Sequence, residues 1–199
     1  MKKTLLILGS HSFSGSSFMN MMLKKKKFKI ISIFNSKKKK FLVNYKKNID
    51  DDFSSYKINL LTDINKLKKI IIKKKPDFII DFASNCNVDL SWKDTGKITK
   101  INFFNKLDLI KDISELKFLS KYVYISTPEV FGSNNSYVNE NSNQFNPSSP
   151  YATSKLAFEL FLKNYKKAFN FPVIIARFAN FYGEYQDSKR LIPKLCLLY

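Results

Sequence analysis

Arginine is almost absent from this sequence: of its 35 basic residues only Arg177 and Arg190 are arginines, and the other 33 are lysines. With 16 acidic residues against them, the formal net charge is +19. A charge of that size usually marks a polyanion-binding surface. Phosphate recognition, however, favours the planar guanidinium fork that the chain lacks. The excess of Lys beside Asn, Ile and Phe reads instead as codon bias toward A and T. The runs Lys24 to Lys27, Lys37 to Lys40 and Lys73 to Lys75 close apolar segments, as solvated termini do. No nucleic-acid partner is expected; binding to any DNA at physiological salt would revive that reading. Two cysteines, Cys86 and Cys196, and a single histidine are too few and too unpatterned for a disulfide framework or a metal site, and they fit a reducing compartment. No apolar run approaches bilayer-spanning length, and "MKKTLLILG" has too short an apolar part, with no small-residue cleavage site behind it, for a secretory leader. The sequence thus predicts a cytoplasmic protein with no membrane partner.

Glycine is scarce too, 5 in 199 residues, so each position is informative. Gly9 and Gly15 fall directly behind the first apolar run, in "TLLILGSHSFSGSSF". Similar β-rich runs recur at Thr4 to Leu8, Phe28 to Phe34, Tyr56 to Leu60, Asp77 to Phe82, Tyr122 to Ser126 and Pro172 to Arg177. Stretches with helical spacing separate them, notably Asp63 to Lys75, Ile98 to Leu119 and Ser149 to Phe169. Strands alternating with helices predict βαβ units, and hence an α/β fold with a Rossmann-type doubly wound parallel sheet. The segment Gly132 to Pro150, rich in Asn, Ser and Pro, reads as a long surface loop of the kind that is usually functional. The sequence stops at "LIPKLCLLY", within an apolar segment, and reads as a fragment: a domain over 1–180 and, over 181–199, only the start of a C-terminal substrate-binding portion.

A strand running into a glycine turn and then a helix presents backbone N–H groups and a positive helix end to an anion. By spacing, Gly9, Ser12 and Gly15 fill a G-x-x-G-x-x-G loop for a dinucleotide pyrophosphate, with Ser12 in place of glycine. His11 within that loop is expected to act through its backbone. At the end of the second strand Asn35 and Ser36 stand where an acidic residue would select NAD, and Lys37 follows. The cofactor reads as NAD(P). In "SPYATSK", Tyr151 and Lys155 are four apart and share one helix face. A tyrosine with a pKa near ~10 is a weak base, and a neighbouring ammonium and a nicotinamide cation are expected to lower that value. Upstream, "YVYISTPEVFG" sets Ser126, Thr127 and Glu129 at the carboxyl end of a strand, where open α/β sheets assemble their sites. Cys86 and Trp92 read as packing residues.

These motifs together, with "PDFIIDFASNCNVDLSW", Asn102, "PSSPYATSK", "RFANFYGEYQ" and "RLIP", resemble the extended short-chain dehydrogenase/reductases, in the NAD-dependent epimerase/dehydratase family and its dTDP-glucose 4,6-dehydratase-like branch. The resemblance covers essentially all 199 residues in order. It implies a nucleotide-sugar 4,6-dehydratase that retains its cofactor, NAD favoured, and binds a nucleotide-diphosphate sugar. Thr127 would hold the sugar 4-hydroxyl, Tyr151 take its proton, Lys155 hold the nicotinamide ribose, and Glu129 remove the 5-proton. Cofactor contacts are implied at Gly9, Ser12, Phe13, Gly15, Asn35, Ser36, Asn59, Leu60, Phe82, Ala83, Tyr151 and Lys155, and substrate contacts at Ser126, Thr127 and Asn180. A homodimer through Ile98 to Leu119 and Ser149 to Phe169 is also implied. Pro128 stands where dehydratases commonly carry an acidic proton donor. A 4-epimerase or 4-keto reductase, or a cofactor-binding remnant without turnover, therefore stays open.

Overall fold

The computed structural model describes residues 2–36, 52–86, 88–133, 137–188 and 190–198. Lys37 and the lysine run it opens lie outside the described residues.

Six parallel strands form one sheet: β1 (Lys3–Leu8), β2 (Phe28–Phe34), β3 (Phe53–Lys57), β4 (Phe78–Asp81), β5 (Lys121–Ser126) and β6 (Val173–Arg177). Their order is β3-β2-β1-β4-β5-β6, so the chain reverses its direction of travel across the sheet between β1 and β4. A ligand crevice belongs at that point, outside the carboxyl ends of the strands. The alternation of side chains along β1 builds two cores at once. Leu6 and Leu8 pack into the larger core with Leu67, Ile71, Ile110 and Phe158, whereas Leu5 and Ile7 pack on the other face with Met19 and Met22. A strand apolar at every position from Leu5 to Leu8 is what burial on both faces demands.

Helix α1 (Phe13–Lys25) follows β1, α2 (Ile64–Lys74) follows β3, and α6 (Pro150–Phe169) joins β5 to β6. With glycine scarce, α1, α2 and α6 close on Lys26, Lys75 and Asn170, held at φ of 50°, 44° and 53°, where glycine is the usual residue.

The β4-to-β5 crossover departs from the single helix expected over Ile98 to Leu119. It comprises α3 (Val88–Lys93), α4 (Thr95–Thr99), a π-helical turn (Lys100–Phe104) and α5 (Asn105–Ile113). The π turn carries Asn102 into the interior. Its amide oxygen accepts from the Asn85 N–H at 2.9 Å, and its nitrogen donates to the Asn85 carbonyl at 3.1 Å and the Ser154 hydroxyl at 3.2 Å. One buried side chain thus ties the loop after β4 to α6, which explains the extra residue in the helical ladder. The third strand also lies earlier than the Tyr56 to Leu60 predicted, because Asn59 starts a turn: its N–H donates to the Asp63 carboxylate and its side chain accepts from the Leu61 N–H. A short α7 (Leu191–Cys196) ends the described chain. Beyond Gly132 the described residues 137–148 are mostly exposed, as a surface loop is, and Phe145 anchors them. Phe145 stacks on Phe131 with centroids 5.5 Å apart, and the Asn146 N–H donates to the Val130 carbonyl. No helix among the described residues is long and apolar enough to cross a membrane.

Candidate active site

Gly9 leaves β1 at φ 73°, and a Cβ there would lie 2.7 Å from the Ala83 nitrogen, so this turn accepts only glycine. The Gly9 and Ser10 N–H groups both donate to the Ile33 carbonyl, at 2.9 and 3.0 Å, which pins the loop across β2. Ser12 has φ −68° and ψ 165°, an ordinary extended conformation, so glycine is not needed in the middle of this loop. Its hydroxyl caps α1 by accepting from the Gly15 N–H at 3.1 Å, and its own proton remains to donate. Gly15 is required for a different reason: a Cβ there would fall on the Gly9 carbonyl oxygen and 2.8 Å from the Ser12 hydroxyl. The first turn of α1 carries no acid, which leaves the positive helix end for an anion.

A cavity of about 500 Å³ opens over this loop. Gly9, Ser12, Asn35, Ser36, Asn59, Leu60, Phe82 and Ala83 all line it, so the structure brings together eight residues from the segments that follow β1, β2, β3 and β4. Phe13 and Asn180 lie elsewhere. They line a neighbouring cleft of about 1310 Å³ between α1 and residues 177–185, where Phe13 stacks on Phe181 with centroids 5.9 Å apart and Phe82 forms a shared wall. His11 does more than lend its backbone. It is 2% exposed, stacks on Phe34 at 4.0 Å, and its Nδ1 donates to the Ser36 carbonyl at 3.1 Å, so the side chain fixes the end of β2 beside the cavity.

At the end of β5, Ser126 and Thr127 are buried, and the Ser126 hydroxyl has no protein partner. Thr127 caps a 3-10 turn (Pro128–Phe131), its hydroxyl accepting from the Glu129 N–H at 3.3 Å, and Pro128 occupies the first position of that turn. Proline there supplies the dihedral angle that starts the turn. Glu129 is solvent-exposed, yet partial burial raises its carboxyl above the ordinary value, with the Arg190 cation pulling the other way.

Ser149 caps α6 by accepting from the Ala152 N–H at 3.1 Å, and the helix then carries Tyr151 and Lys155 inward, 7% and 2% exposed. Burial pushes the Tyr151 phenol up to about 12, with Cys86 and Glu129 adding to the shift and the Ser84 and Thr127 hydroxyls opposing it. The lowering expected from a neighbouring ammonium is therefore not what the protein's own groups produce. The reason is visible in Lys155, whose Nζ donates to the Ile125 carbonyl at 2.6 Å and lies 4.1 Å from the Tyr124 ring centroid. Burial, and next the cation of Lys106, bring its pKa down to about 7, so it is a weakened cation.

Sequence reasoning missed two residues here. Arg190, noted only within "RLIP", lines the 500 Å³ cavity and reaches Cys86 Sγ at 3.6 Å. Cys86, expected in packing, is exposed on the same cavity wall. Trp92, also expected in packing, is 65% exposed. No signal in the sequence separates an exposed cysteine or tryptophan from a buried one.

Among known proteins, the dTDP-D-glucose 4,6-dehydratase of Dictyostelium discoideum is 41% identical over 87 residues, 38% of this chain and 20% of that protein. The corresponding human protein is 39% identical over 80 residues, 40% of this chain and 23% of that protein. The matched stretch is about a fifth of the length of these curated relatives. Among solved structures, a dTDP-glucose 4,6-dehydratase double mutant from Streptomyces venezuelae, with NAD bound, superposes with a TM-score of 0.84 at 26% identity, over 98% of this chain and 62% of that one. A UDP-N-acetylglucosamine 4-epimerase from Methanobrevibacter ruminantium gives the same TM-score, identity and coverage. The chain spans about three fifths of these structural neighbours. The sequence model of the GDP-mannose 4,6 dehydratase family matches residues 6–198, and the chain belongs to that family of NAD-dependent epimerases and dehydratases.

Proposed function

We propose that this chain carries the catalytic part of a nucleotide-sugar 4,6-dehydratase that uses NAD, with residues 1–180 as the cofactor domain and 181–199 opening a substrate-binding portion. The observation that carries the reading is Glu129: a carboxylate at the end of β5, close enough to raise the Tyr151 phenol and itself held above its ordinary value. A dinucleotide fits the residues present. Gly9 and Gly15 hold the turn in a form that the protein's own backbone closes to any Cβ, Gly9 and Ser12 line the 500 Å³ cavity over it, and the buried Ser126 hydroxyl lacks a protein partner. Gly9, Ser12, Gly15, Asn35, Ser36, Asn59, Leu60, Phe82 and Ala83, with Phe13 beside them, would hold the dinucleotide, and Tyr151 and Lys155 its nicotinamide end. When bound, it supplies reversible hydride acceptance at the sugar.

The chain's own residues do the proton work. Thr127 holds the sugar 4-hydroxyl and Tyr151 takes its proton; Lys155, as a cation, steadies the phenolate. Ser126 and Asn180 contribute polar contacts to the sugar nucleotide. The 4-ketone acidifies the adjacent 5-proton, and Glu129 removes it. Pro128 has no proton to give, so the proton that Glu129 has just gained is the one passed to the departing 6-hydroxyl, which leaves as water. A carboxyl with a raised pKa suits both halves of that transfer. The family resemblance further supports a homodimer through Ile98 to Leu119 and Ser149 to Phe169, stretches on which Phe104 and Phe161 are exposed.

Pro128 favours a second reading, a 4-epimerase, which Thr127, Tyr151 and Lys155 would serve without Glu129. Mass spectrometry of nucleotide-diphosphate hexoses incubated with the protein and NAD separates the two. Loss of one water, abolished by Glu129→Gln, is the expected result. Isomerisation without water loss, indifferent to Glu129→Gln, would establish the epimerase. Retained NAD with no sugar turnover would leave a cofactor-binding remnant.

A further inference from the structure

Beneath Tyr151 and Lys155 the fold buries a second charged cluster that the proposed reaction does not use. Asp81 at the end of β4 and Lys106 on α5 are 0% and 1% exposed and pair at 2.6 Å. The same Asp81 oxygen accepts from the Tyr122 hydroxyl at 2.8 Å, and the other accepts from the Ala83 N–H at 2.9 Å. Lys106 also donates to the Ala83 carbonyl, so the pair grips the wall of the cofactor cavity. A dry ion pair is no better for stability than apolar side chains of the same volume, which directs attention to what else it does. The Nζ atoms of Lys106 and Lys155 lie 5.1 and 4.1 Å from the centroid of one ring, that of Tyr124. Two ammonium groups share this ring where water does not screen them.

We propose that Lys106, clamped by Asp81, is a positioning residue for Lys155: the two cations repel one another beside the Tyr124 ring, and that repulsion, balanced by Asp81, sets how readily Lys155 holds its proton. The inference rests on the reading of Tyr151 and Lys155 as the catalytic pair. Among the described residues, few groups face Lys155 from the elements packed against it. Asp81 lies at the end of β4 and Cys86 in the loop behind it, Lys106 on α5 and Tyr124 on β5. On α6 itself stand Tyr151 and Glu159, the latter gripped by Arg177 of β6 at 2.6 Å. Lys106 is the one cation among them that pushes Lys155 toward the amine, while Asp81, Glu159 and Cys86 push the other way. Lys155 is thereby left close to the point where a negative partner, such as a Tyr151 phenolate, completes its protonation.

Side-chain nitrogen NMR of lysine-labelled protein tests this, with the Lys155 signal assigned by its loss in Lys155→Met. Lys106→Met removes the repulsion and leaves Asp81, and it is expected to raise the Lys155 titration midpoint by at least about one pH unit, a tenfold gain in proton affinity. Asp81→Asn leaves the repulsion unbalanced and is expected to lower it. Opposite signs cannot come from a shared loss of packing. An unmoved midpoint in Lys106→Met, or shifts of the same sign, would overturn the proposal. Should the single variants not fold, the double variant Lys106→Met with Asp81→Asn buries no charge and decides alone: its midpoint rises by less than tenfold in affinity, and no rise overturns the idea. The titration needs neither cofactor nor sugar, so failure of the NAD-dependent reading, seen as absent NAD binding by the wild-type protein, is a separate result.

Discussion

Replacing Lys155 with methionine should stabilise the fold while it abolishes the chemistry. Lys155 is 2% exposed and its pKa falls from 10.5 in the unfolded chain to about 7 in the folded one. At about 1.4 kcal/mol per unit, that depression is a ceiling of roughly 5 kcal/mol lost on burying the ammonium. Methionine forfeits the hydrogen bond to the Ile125 carbonyl and leaves that oxygen unpaired, a loss of about 1–3 kcal/mol, so the net gain is at most roughly 2–4 kcal/mol. For a chain of this length the lower figure corresponds to about 4–8 °C in Tm. The sign with pH follows from proton counting. Below pH 7 both folded and unfolded chains hold the proton, and the penalty is complete. Between about 7 and 10.5 only the unfolded chain binds it, so wild-type stability climbs with pH and the advantage of the variant shrinks. Urea unfolding of both proteins at pH 6.5 and 9.5 measures this. A variant less stable than wild type at pH 6.5, or a difference that does not change with pH, would refute the account of a strained buried cation. Loss of turnover in the same variant, despite greater stability, would mark Lys155 as a residue kept for function.

Gly9→Ala places a Cβ 2.7 Å from the Ala83 nitrogen at a φ of 73°. A loss of at least ~2 kcal/mol in stability is expected by denaturant titration, with NAD affinity reduced more than tenfold by calorimetry; unchanged affinity would remove the loop from the cofactor site. Lys75→Gly relieves a left-handed helix end at φ 44° and should stabilise by about 0.5–1 kcal/mol, with no effect on NAD binding. If the exposed Phe104 and Phe161 mark the dimer face, Phe104→Glu converts dimer to monomer in sedimentation; a wild-type protein that sediments as a monomer at tens of micromolar would dismiss that face.

The fold was legible because its signals are redundant. Each central strand is a short apolar run, each crossover has helical spacing, and the loop from Gly9 to Gly15 marks where the first strand stops. Boundaries failed where a single side chain overrode periodicity. Asn59 turns the chain through its bond to the Leu61 N–H, and Asn102 opens a π turn to reach Asn85 and Ser154. Neither event leaves a trace in an apolar pattern, since asparagine sits in loops and helices alike. The candidate site shows the same division. Tyr151, Lys155, Thr127 and Glu129 could be singled out as candidates because they belong to local motifs, four residues apart on one helix face or clustered at one strand end.

What local motifs do not encode is the charge that each of these groups carries. That depends on residues distant in sequence: Lys106 from α5 and Asp81 from β4 act on Lys155, and Cys86 from the loop after β4 acts on Tyr151. A spacing rule sees a tyrosine beside a lysine and infers a depressed phenol. The folded chain instead buries both groups, pushing the phenol up to about 12 and the ammonium down to about 7, because desolvation penalises each ion before they can help one another. The pair is therefore closer to neutral than to zwitterionic in the protein's own field. A positive charge from outside the chain, arriving beside Tyr151, tips it toward the phenolate that the proposed reaction needs. Coupling of that kind ties proton removal to an occupied site, and it follows from how deeply α6 is buried rather than from any residue in the Tyr151 to Lys155 motif itself.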